Sequence, residues 1–86
     1  AYVLEQNYPN PFNPSTQIRF GLPKAGHVSL KIYDLTGREI AILVDQFRPA
    51  GQFTVTFESK GLTTGVYFYR LSTANYSEVR RMMFVK

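Results

Sequence analysis

Apolar and polar residues alternate along several short stretches of this chain, and the alternation constrains its fold more than any other feature. Apolar side chains recur at every second residue in three stretches: Ile18, Phe20 and Leu22, then Val28, Leu30 and Ile32, then Phe53, Val55 and Phe57. Because side chains on a β-strand point alternately to opposite faces, each stretch predicts a strand with one buried and one wet face. No stretch shows a convincing helical period. The pattern therefore predicts antiparallel β-structure.

Three further stretches are less regular. Residues 40–44 are apolar throughout, and residues 66–71 are aromatic on both faces, which predicts a central or covered strand. In residues 79–86 either set of alternate side chains can face inward, so the register of this last stretch stays open. An edge strand near residues 2–6 brings the number of strands to about seven.

Residues suited to tight chain reversals separate the predicted strands, at positions 23–26, 35–37, 49–51, 60–65 and 74–75. They recur roughly every 10 to 14 residues, close to the spacing in β-sandwiches. We therefore predict an all-β fold, an immunoglobulin-like antiparallel β-sandwich, formed by residues 1–86 as one domain. A partly closed barrel is the alternative.

The composition argues against several classes of protein. The chain has no cysteine, so it has no disulfide framework, thiolate nucleophile or cysteine metal site. Its net charge of +4 is scattered except for Arg80, Arg81 and Lys86, and we expect no nucleic-acid partner. The longest apolar run is far shorter than the roughly 20 residues that span a bilayer, so no transmembrane segment is expected. The first residues do not resemble a signal peptide, and an export signal is expected elsewhere in a longer chain.

The residues that usually carry catalysis do not cluster in this sequence. His27 is the only histidine, so no second imidazole can complete a metal site or a catalytic dyad. The carboxylates are spread along the chain, except that Asp34 and Glu39 flank one turn. We expect Asp34 to accept hydrogen bonds from the backbone of that turn while Arg38 offsets its charge. We therefore predict that the chain is not an enzyme and has no cofactor or metal.

Four tyrosines offer an alternative function. Tyr33, Tyr67, Tyr69 and Tyr76 would make a sugar-binding module if they formed an exposed row of rings. Tyrosines within strands more often pack against the sheet with a satisfied hydroxyl. We keep sugar binding as a less favoured hypothesis.

Residues 7–14, which we call the strap, contain three of the five prolines of the chain. Each proline fixes its own φ and restricts the residue before it to extended or turn conformations, so the strap is predicted to be stiff and extended. Phe12 lies between two Asn-Pro units and is predicted to plug one end of the sandwich. The asparagine side chains are predicted to bond to nearby backbone.

The strap together with Ser15, followed by Ile18-Arg19-Phe20 and Leu22-Pro23, resembles the opening of the type A C-terminal sorting domain of the type IX secretion system of Bacteroidetes and related bacteria. Further similarity, in the same order as in that family, lies in residues 28–35, Gly37-Arg38-Glu39, Ala50-Gly51, Leu62, residues 65–71 and residues 81–86. The resemblance covers nearly the whole chain from Leu4 onward.

The resemblance implies a module at the C-terminus of a larger exported cargo protein. The cargo would reach the periplasm through an ordinary signal peptide, and the outer-membrane secretion machinery would recognise the β-domain. The cargo would then be secreted or attached to the cell surface, usually after a sortase-like peptidase removes the domain. Cleavage would fall upstream of Leu4, with residues 1–3 a remnant of the linker.

Three segments are candidates for recognition by a partner: Asn10, Pro11, Phe12, Asn13 and Pro14 in the strap, Gly37, Arg38 and Glu39 in a turn, and Arg80, Arg81 and Lys86 at the end of the chain. An exposed strand edge can be read by strand addition, and it also allows weak self-association of a chain that we expect to be a monomer. If residues 81–86 are the address, their deletion should block export and leave the fold intact. If they are a core strand, deletion should unfold the domain.

A related structural alternative is the immunoglobulin-like insertion domain of flagellar hook-capping proteins, which shares the Asn-Pro-Phe-Asn-Pro start. Those domains tend to carry Trp-Asp-Gly near the fifth strand, whereas residues 55–60 of this chain contain no tryptophan. The least specific alternative is a spacer in a cell-surface protein.

Overall fold

The computed structural model describes all 86 residues and contains seven strands in two antiparallel sheets. The strands are β1 (Val3–Leu4), β2 (Ser15–Leu22), β3 (Gly26–Tyr33), β4 (Glu39–Arg48), β5 (Gly51–Glu58), β6 (Gly65–Ser72) and β7 (Ser77–Phe84). One sheet has the order β1-β2-β5 and the other has the order β4-β3-β6-β7. The predicted all-β sandwich is confirmed. The chain forms no helix that could cross a bilayer.

The core lies between the two sheets and follows the alternation in the sequence. The predicted inward side chains of β2 and β3 are all buried: Ile18, Phe20, Leu22, Val28, Leu30 and Ile32. In β5 only Phe57 is fully buried, while Phe53 and Val55 are half-buried, because β5 is an edge strand. Strand β6 lies between β3 and β7, as its aromatic pattern predicted.

The structure determines the register of β7, which the sequence left open. Met82 and Phe84 point into the core, and Met82 is only 1% exposed, whereas Met83 is 40% exposed. The last strand is therefore a core strand. Deleting residues 81–86 would remove two buried side chains, so such a deletion is expected to unfold the domain rather than spare its fold.

The antiparallel pairing distributes the turns between two ends of the sandwich. At one end, which we call the strap end, lie the strap, the β3–β4 turn, the β5–β6 loop and the last residues of β7. At the other end the Tyr2 ring stacks on Tyr76, with ring centroids 4.6 Å apart. An eight-residue strand at 3.3 Å per residue separates the two ends by about 26 Å.

Candidate functional site

The strap connects the two sheets at the strap end. Its first part pairs with β2 through Tyr8 and Gln17. Its second part lies against β7, where the Phe12 amide donates to the Met83 carbonyl over 3.0 Å. The Val85 amide donates to the Phe12 carbonyl over 3.2 Å. The strap therefore occupies part of the outer edge of β7, and strand addition by a partner along that part is blocked.

Phe12 closes the core at the strap end, as predicted. Its side chain is 1% exposed, and its ring lies 5.3 Å from the Phe84 ring and 6.0 Å from the Phe57 ring, measured between centroids. Phe57 belongs to the three-stranded sheet and Phe84 to the four-stranded sheet. The Phe12 side chain thus touches one aromatic ring from each sheet, and its role is to stabilise the sandwich.

A buried polar cluster that was not predicted from the sequence holds the start of the strap. The side-chain amide of Asn7 donates to the Thr16 hydroxyl over 3.0 Å, and that hydroxyl donates to the Pro9 carbonyl over 2.8 Å. Asn7 and Thr16 are both buried, so these bonds satisfy groups that water does not reach. Thr16 lies two residues before Ile18, so both side chains point to the buried face of β2. This spacing could have predicted that Thr16 is buried.

The other strap residues are exposed at the strap end. Asn10 accepts a 2.9 Å hydrogen bond from the Met83 amide through its side-chain oxygen. The predicted bonding of asparagine side chains to backbone is confirmed for Asn10 and for Asn7, which also donates to the Pro9 carbonyl. The Pro14 carbonyl accepts from the Ser59 amide over 2.8 Å. Pro11 and Asn13 project between these anchored points.

The β3–β4 turn has the hydrogen bonds predicted for it. One carboxylate oxygen of Asp34 accepts from the Thr36 amide, the Thr36 hydroxyl and the Arg38 amide over 2.9, 2.6 and 3.0 Å. The other accepts from the Arg38 guanidinium over 3.2 Å. The hydroxyl bond from Thr36 is the main cause that lowers the Asp34 pKa below 3.8. Gly37 has a φ of 88°, a conformation that favours glycine, and it lets the turn close around the carboxylate.

Most of the candidate residues lie at the strap end, but Arg80 and Arg81 do not. Residues 10–14, the turn from Gly37 to Glu39, and Lys86, whose amide donates to the Thr64 hydroxyl over 3.0 Å, lie at the strap end. Arg81 is exposed on the outer face of the four-stranded sheet. Arg80 points the opposite way, and its Nε donates to the Leu4 carbonyl over 2.6 Å. Arg80 is thus engaged within the domain and is separated from Arg81.

The two outer faces of the sandwich differ in chemistry. The three-stranded sheet presents polar side chains to solvent, among them Gln17, Arg19, Thr54 and Thr56. The four-stranded sheet presents a surface that we call the apolar face, formed by Tyr33, Leu35, Val66, Phe68, Val79 and Met83 together with Arg70 and Arg81. Leu35, in the β3–β4 turn, is 71% exposed. Contiguous exposed apolar surface of this kind marks interaction sites.

The apolar face contains two shallow hollows. One lies beside the β3–β4 turn and is lined by side chains that include Tyr33, Leu35, Phe68 and Val79. The other is lined by Asn10 of the strap with Val66, Arg81 and Met83. The apolar face is thus continuous with two of the candidate segments, the strap and the turn. This surface presents apolar side chains and positive charge to solvent.

The four tyrosines do not form a row. Tyr67 and Tyr69 face the core, and the Tyr67 hydroxyl donates to the Thr63 carbonyl over 2.7 Å. Tyr33 lies on the apolar face, and Tyr76 stacks on Tyr2 at the opposite end. His27 contacts Asp45 over 2.8 Å as an exposed surface pair at the start of β3. These placements match structural roles for the tyrosines and for His27.

Comparison with known protein families agrees with the resemblance seen in the sequence. The profile described as "Secretion system C-terminal sorting domain" matches residues 6–86. The match includes the strap and every strand from β2 to β7. A search of curated proteins gave no match to the chain. The chain therefore belongs to the family of C-terminal sorting domains of the type IX secretion system.

Proposed function

We propose that the domain is the C-terminal address of a larger cargo protein and that the outer-membrane secretion machinery binds it at the strap end. Support comes from geometry. The exposed candidate residues of the strap and of the β3–β4 turn lie at this end, together with Lys86. A cargo N-terminal to the domain would join it through Tyr2, which stacks on Tyr76 at the opposite end, about 26 Å away. A partner bound at the strap end therefore has access to the domain while the cargo stays attached.

Removal of the domain by a sortase-like peptidase belongs to the same proposal, and we place the cleaved bond upstream of Val3. Leu4 is buried, its carbonyl accepts from Arg80, and the Glu5 amide donates to the Arg19 carbonyl over 2.9 Å. A peptidase needs an accessible, extended substrate, and the chain is held in the sheet from Val3 onward. The domain itself carries out no chemistry in this proposal, because the cleavage is done by the partner.

A folded reporter tests the proposal. The reporter, with a signal peptide at its N-terminus and residues 1–86 at its C-terminus, is expressed in a bacterium that has a type IX system. We expect the reporter outside the cell or on its surface. The variant Asn13→Ala/Arg38→Ala/Lys86→Ala, which changes three exposed side chains at the strap end, should leave the reporter in the periplasm.

The matched control changes exposed residues at the opposite end. The variant Lys24→Ala/Asn75→Ala should be exported like the parent domain. Circular dichroism of each purified domain establishes that the fold is kept. Export of the strap-end variant at the level of the parent would contradict recognition at the strap end. Retention of the parent fusion in the periplasm would contradict the whole proposal.

A further inference from the structure

Two arginines on the apolar face have no carboxylate partner. Lys31 pairs with Glu39, Arg38 with Asp34, Arg80 with Glu78, and His27 with Asp45. Arg70 and Arg81 take part in none of these pairs, and both are exposed. The guanidinium carbon of Arg70 lies 5.7 Å from the centroid of the Tyr33 ring, which holds the side chain over the face. The unpaired charge on this face is therefore positive.

The two arginines alternate with apolar side chains in the pairing of β6 with β7. Val66 is opposite Met83, Phe68 is opposite Arg81, and Arg70 is opposite Val79. Within this pair of strands each arginine is opposite an apolar side chain, and on its other side Arg70 is opposite Lys31 of β3, whose charge is paired with Glu39. Arg70 and Arg81 are diagonal neighbours, a relationship that separates residues by about 7–8 Å and their Cβ atoms by somewhat less. The face therefore presents two unpaired positive side chains from diagonal positions of the sheet, with apolar side chains beside them.

That spacing matches an extended segment of protein. Side chains two residues apart on an extended chain point the same way and are about 6.6 Å apart, twice the rise per residue. Two carboxylates separated by one residue can therefore face Arg70 and Arg81 together. Apolar side chains on the same side of the segment would contact Phe68, Val79 and the two hollows. Guanidinium groups bind carboxylates in a directional way that adds specificity to the apolar contact.

We propose that the apolar face binds an extended acidic segment of the secretion machinery. Two carboxylates of that segment, with one residue between them, would contact Arg70 and Arg81, and apolar side chains would lie beside them. This inference rests on the proposed function and names the chemistry of the partner. A second copy of the domain is a poor occupant, because two such faces would bring arginines together. The three-stranded sheet lacks this surface, since its outer face is polar.

Peptide binding to the 86-residue chain tests the inference directly. The probe is the peptide Phe-Ser-Glu-Ser-Glu-Ser-Phe, which places two Phe and two Glu side chains on one side when extended. Nuclear magnetic resonance should show amide shifts in β6 and β7. The same peptide with Gln in place of Glu should bind about tenfold more weakly, since it loses both charge-assisted pairs. The binding of the acidic peptide should weaken with added salt.

Matched variants separate charge at this face from charge in general. Arg70→Gln/Arg81→Gln should reduce the affinity for the acidic peptide about tenfold, and Arg70→Lys/Arg81→Lys should restore part of it. Arg19→Gln, on the outer face of the three-stranded sheet, should bind like the parent. Equal binding of the Glu and Gln peptides, no binding at millimolar peptide, or shifts confined to the three-stranded sheet would overturn the inference. Binding of anionic lipid vesicles in preference to the acidic peptide would also overturn it.

The reporter assay distinguishes this inference from the proposed function. If the parent fusion is exported and the Arg70→Gln/Arg81→Gln fusion stays in the periplasm, both stand. If both fusions are exported equally, the inference on the apolar face fails and the sorting function stands. If the parent fusion is not exported, the proposed function fails.

Discussion

The hydroxyl of Tyr69 donates a 2.6 Å hydrogen bond to the carbonyl of Glu5, a residue 64 positions earlier in the chain. The same hydroxyl accepts a 2.8 Å hydrogen bond from the Asn7 amide. One side chain of β6 thus holds the backbone on both sides of Gln6, where the strap begins. Tyr69 and Asn7 are buried, so water does not reach the backbone amide of Asn7 to replace the hydroxyl.

Replacing Tyr69 with Phe keeps the ring and removes this link. The buried Asn7 backbone amide then lacks a partner, and an unsatisfied buried group costs about 1–3 kcal/mol. We expect the free energy of unfolding, measured with urea, to fall by about that amount. The control is Tyr33→Phe on the apolar face, expected to change stability by less than about 0.5 kcal/mol. Similar losses in the two variants would contradict the role of the Tyr69 hydroxyl.

Alkaline pH should destabilise the domain through two tyrosines. Burial raises the pKa of Tyr69 to about 12, and burial together with the hydrogen bond to Glu78 raises the pKa of Tyr76 to about 12. The ordinary value is 10.0, so the unfolded chain loses these protons first. Stability should therefore be complete below pH 10 and should fall as the pH rises toward 12.

Urea midpoints measured from pH 8 to pH 12 check this expectation. In the alkaline range, Tyr69→Phe should make the urea midpoint fall less steeply with pH, and Tyr69→Phe/Tyr76→Phe should make it fall less steeply still. If the urea midpoint of the double variant falls with pH as steeply as that of the parent, other groups cause the loss of stability at alkaline pH.

Met82→Ala and Met83→Ala test the register of β7. Met82 is buried, and truncating a buried Met costs about 2–5 kcal/mol. Met83 is on the outside, so Met83→Ala should stay within about 0.5 kcal/mol of the parent. Urea denaturation of the two variants gives the comparison. If Met83→Ala is the more damaging change, β7 has the opposite register.

Phe12→Ala should destabilise the domain by about 3–5 kcal/mol, because it leaves a cavity between Phe57 and Phe84. The control within the strap is Tyr8→Ala, since Tyr8 is 80% exposed and pairs with β2 only through its backbone. Thermal denaturation should show a large drop in melting temperature for Phe12→Ala alone. Equal drops would mean that the strap stabilises the fold without the Phe12 plug.

Gly37→Ala tests the closed β3–β4 turn. A residue with a side chain pays about 1–2 kcal/mol for a left-handed conformation, so this variant should be less stable by roughly that amount. Gly26→Ala is the control, because a methyl group at Gly26 meets no neighbouring atom and its φ is not left-handed. Urea denaturation measures both. A stable Gly37→Ala variant would show that the turn tolerates another geometry.

The sequence predicted strands well where only one set of alternate residues is apolar. In β2 and β3 one phase is apolar and the other is mostly polar, so the inward face was clear. In β7 both phases contain apolar residues, with Met82 and Phe84 in one and Val79 and Met83 in the other. The choice between them depends on contacts with Phe12 and β6, which are distant in sequence.

The candidate site was predictable only in part. The hydrogen bonds of Asp34 and the Phe12 plug follow from local sequence and were confirmed. The direction of the Arg80 side chain could not be predicted, because it depends on the register of β7 and on the Leu4 carbonyl as its acceptor. The apolar face was also missed, since Tyr33 and Leu35 join Phe68 and Val79 only after β3 and β6 pair.

The strap lies against the last strand, and this has a consequence for synthesis of the chain. Phe12 binds Met83 and Val85 through its backbone, so the strap finds these partners only after about 70 further residues have been made. A ribosome that stops short of Met82 yields a strap with nothing to lie against and an apolar face without Met83. The complete strap end therefore forms only in a chain that has been translated through Val85.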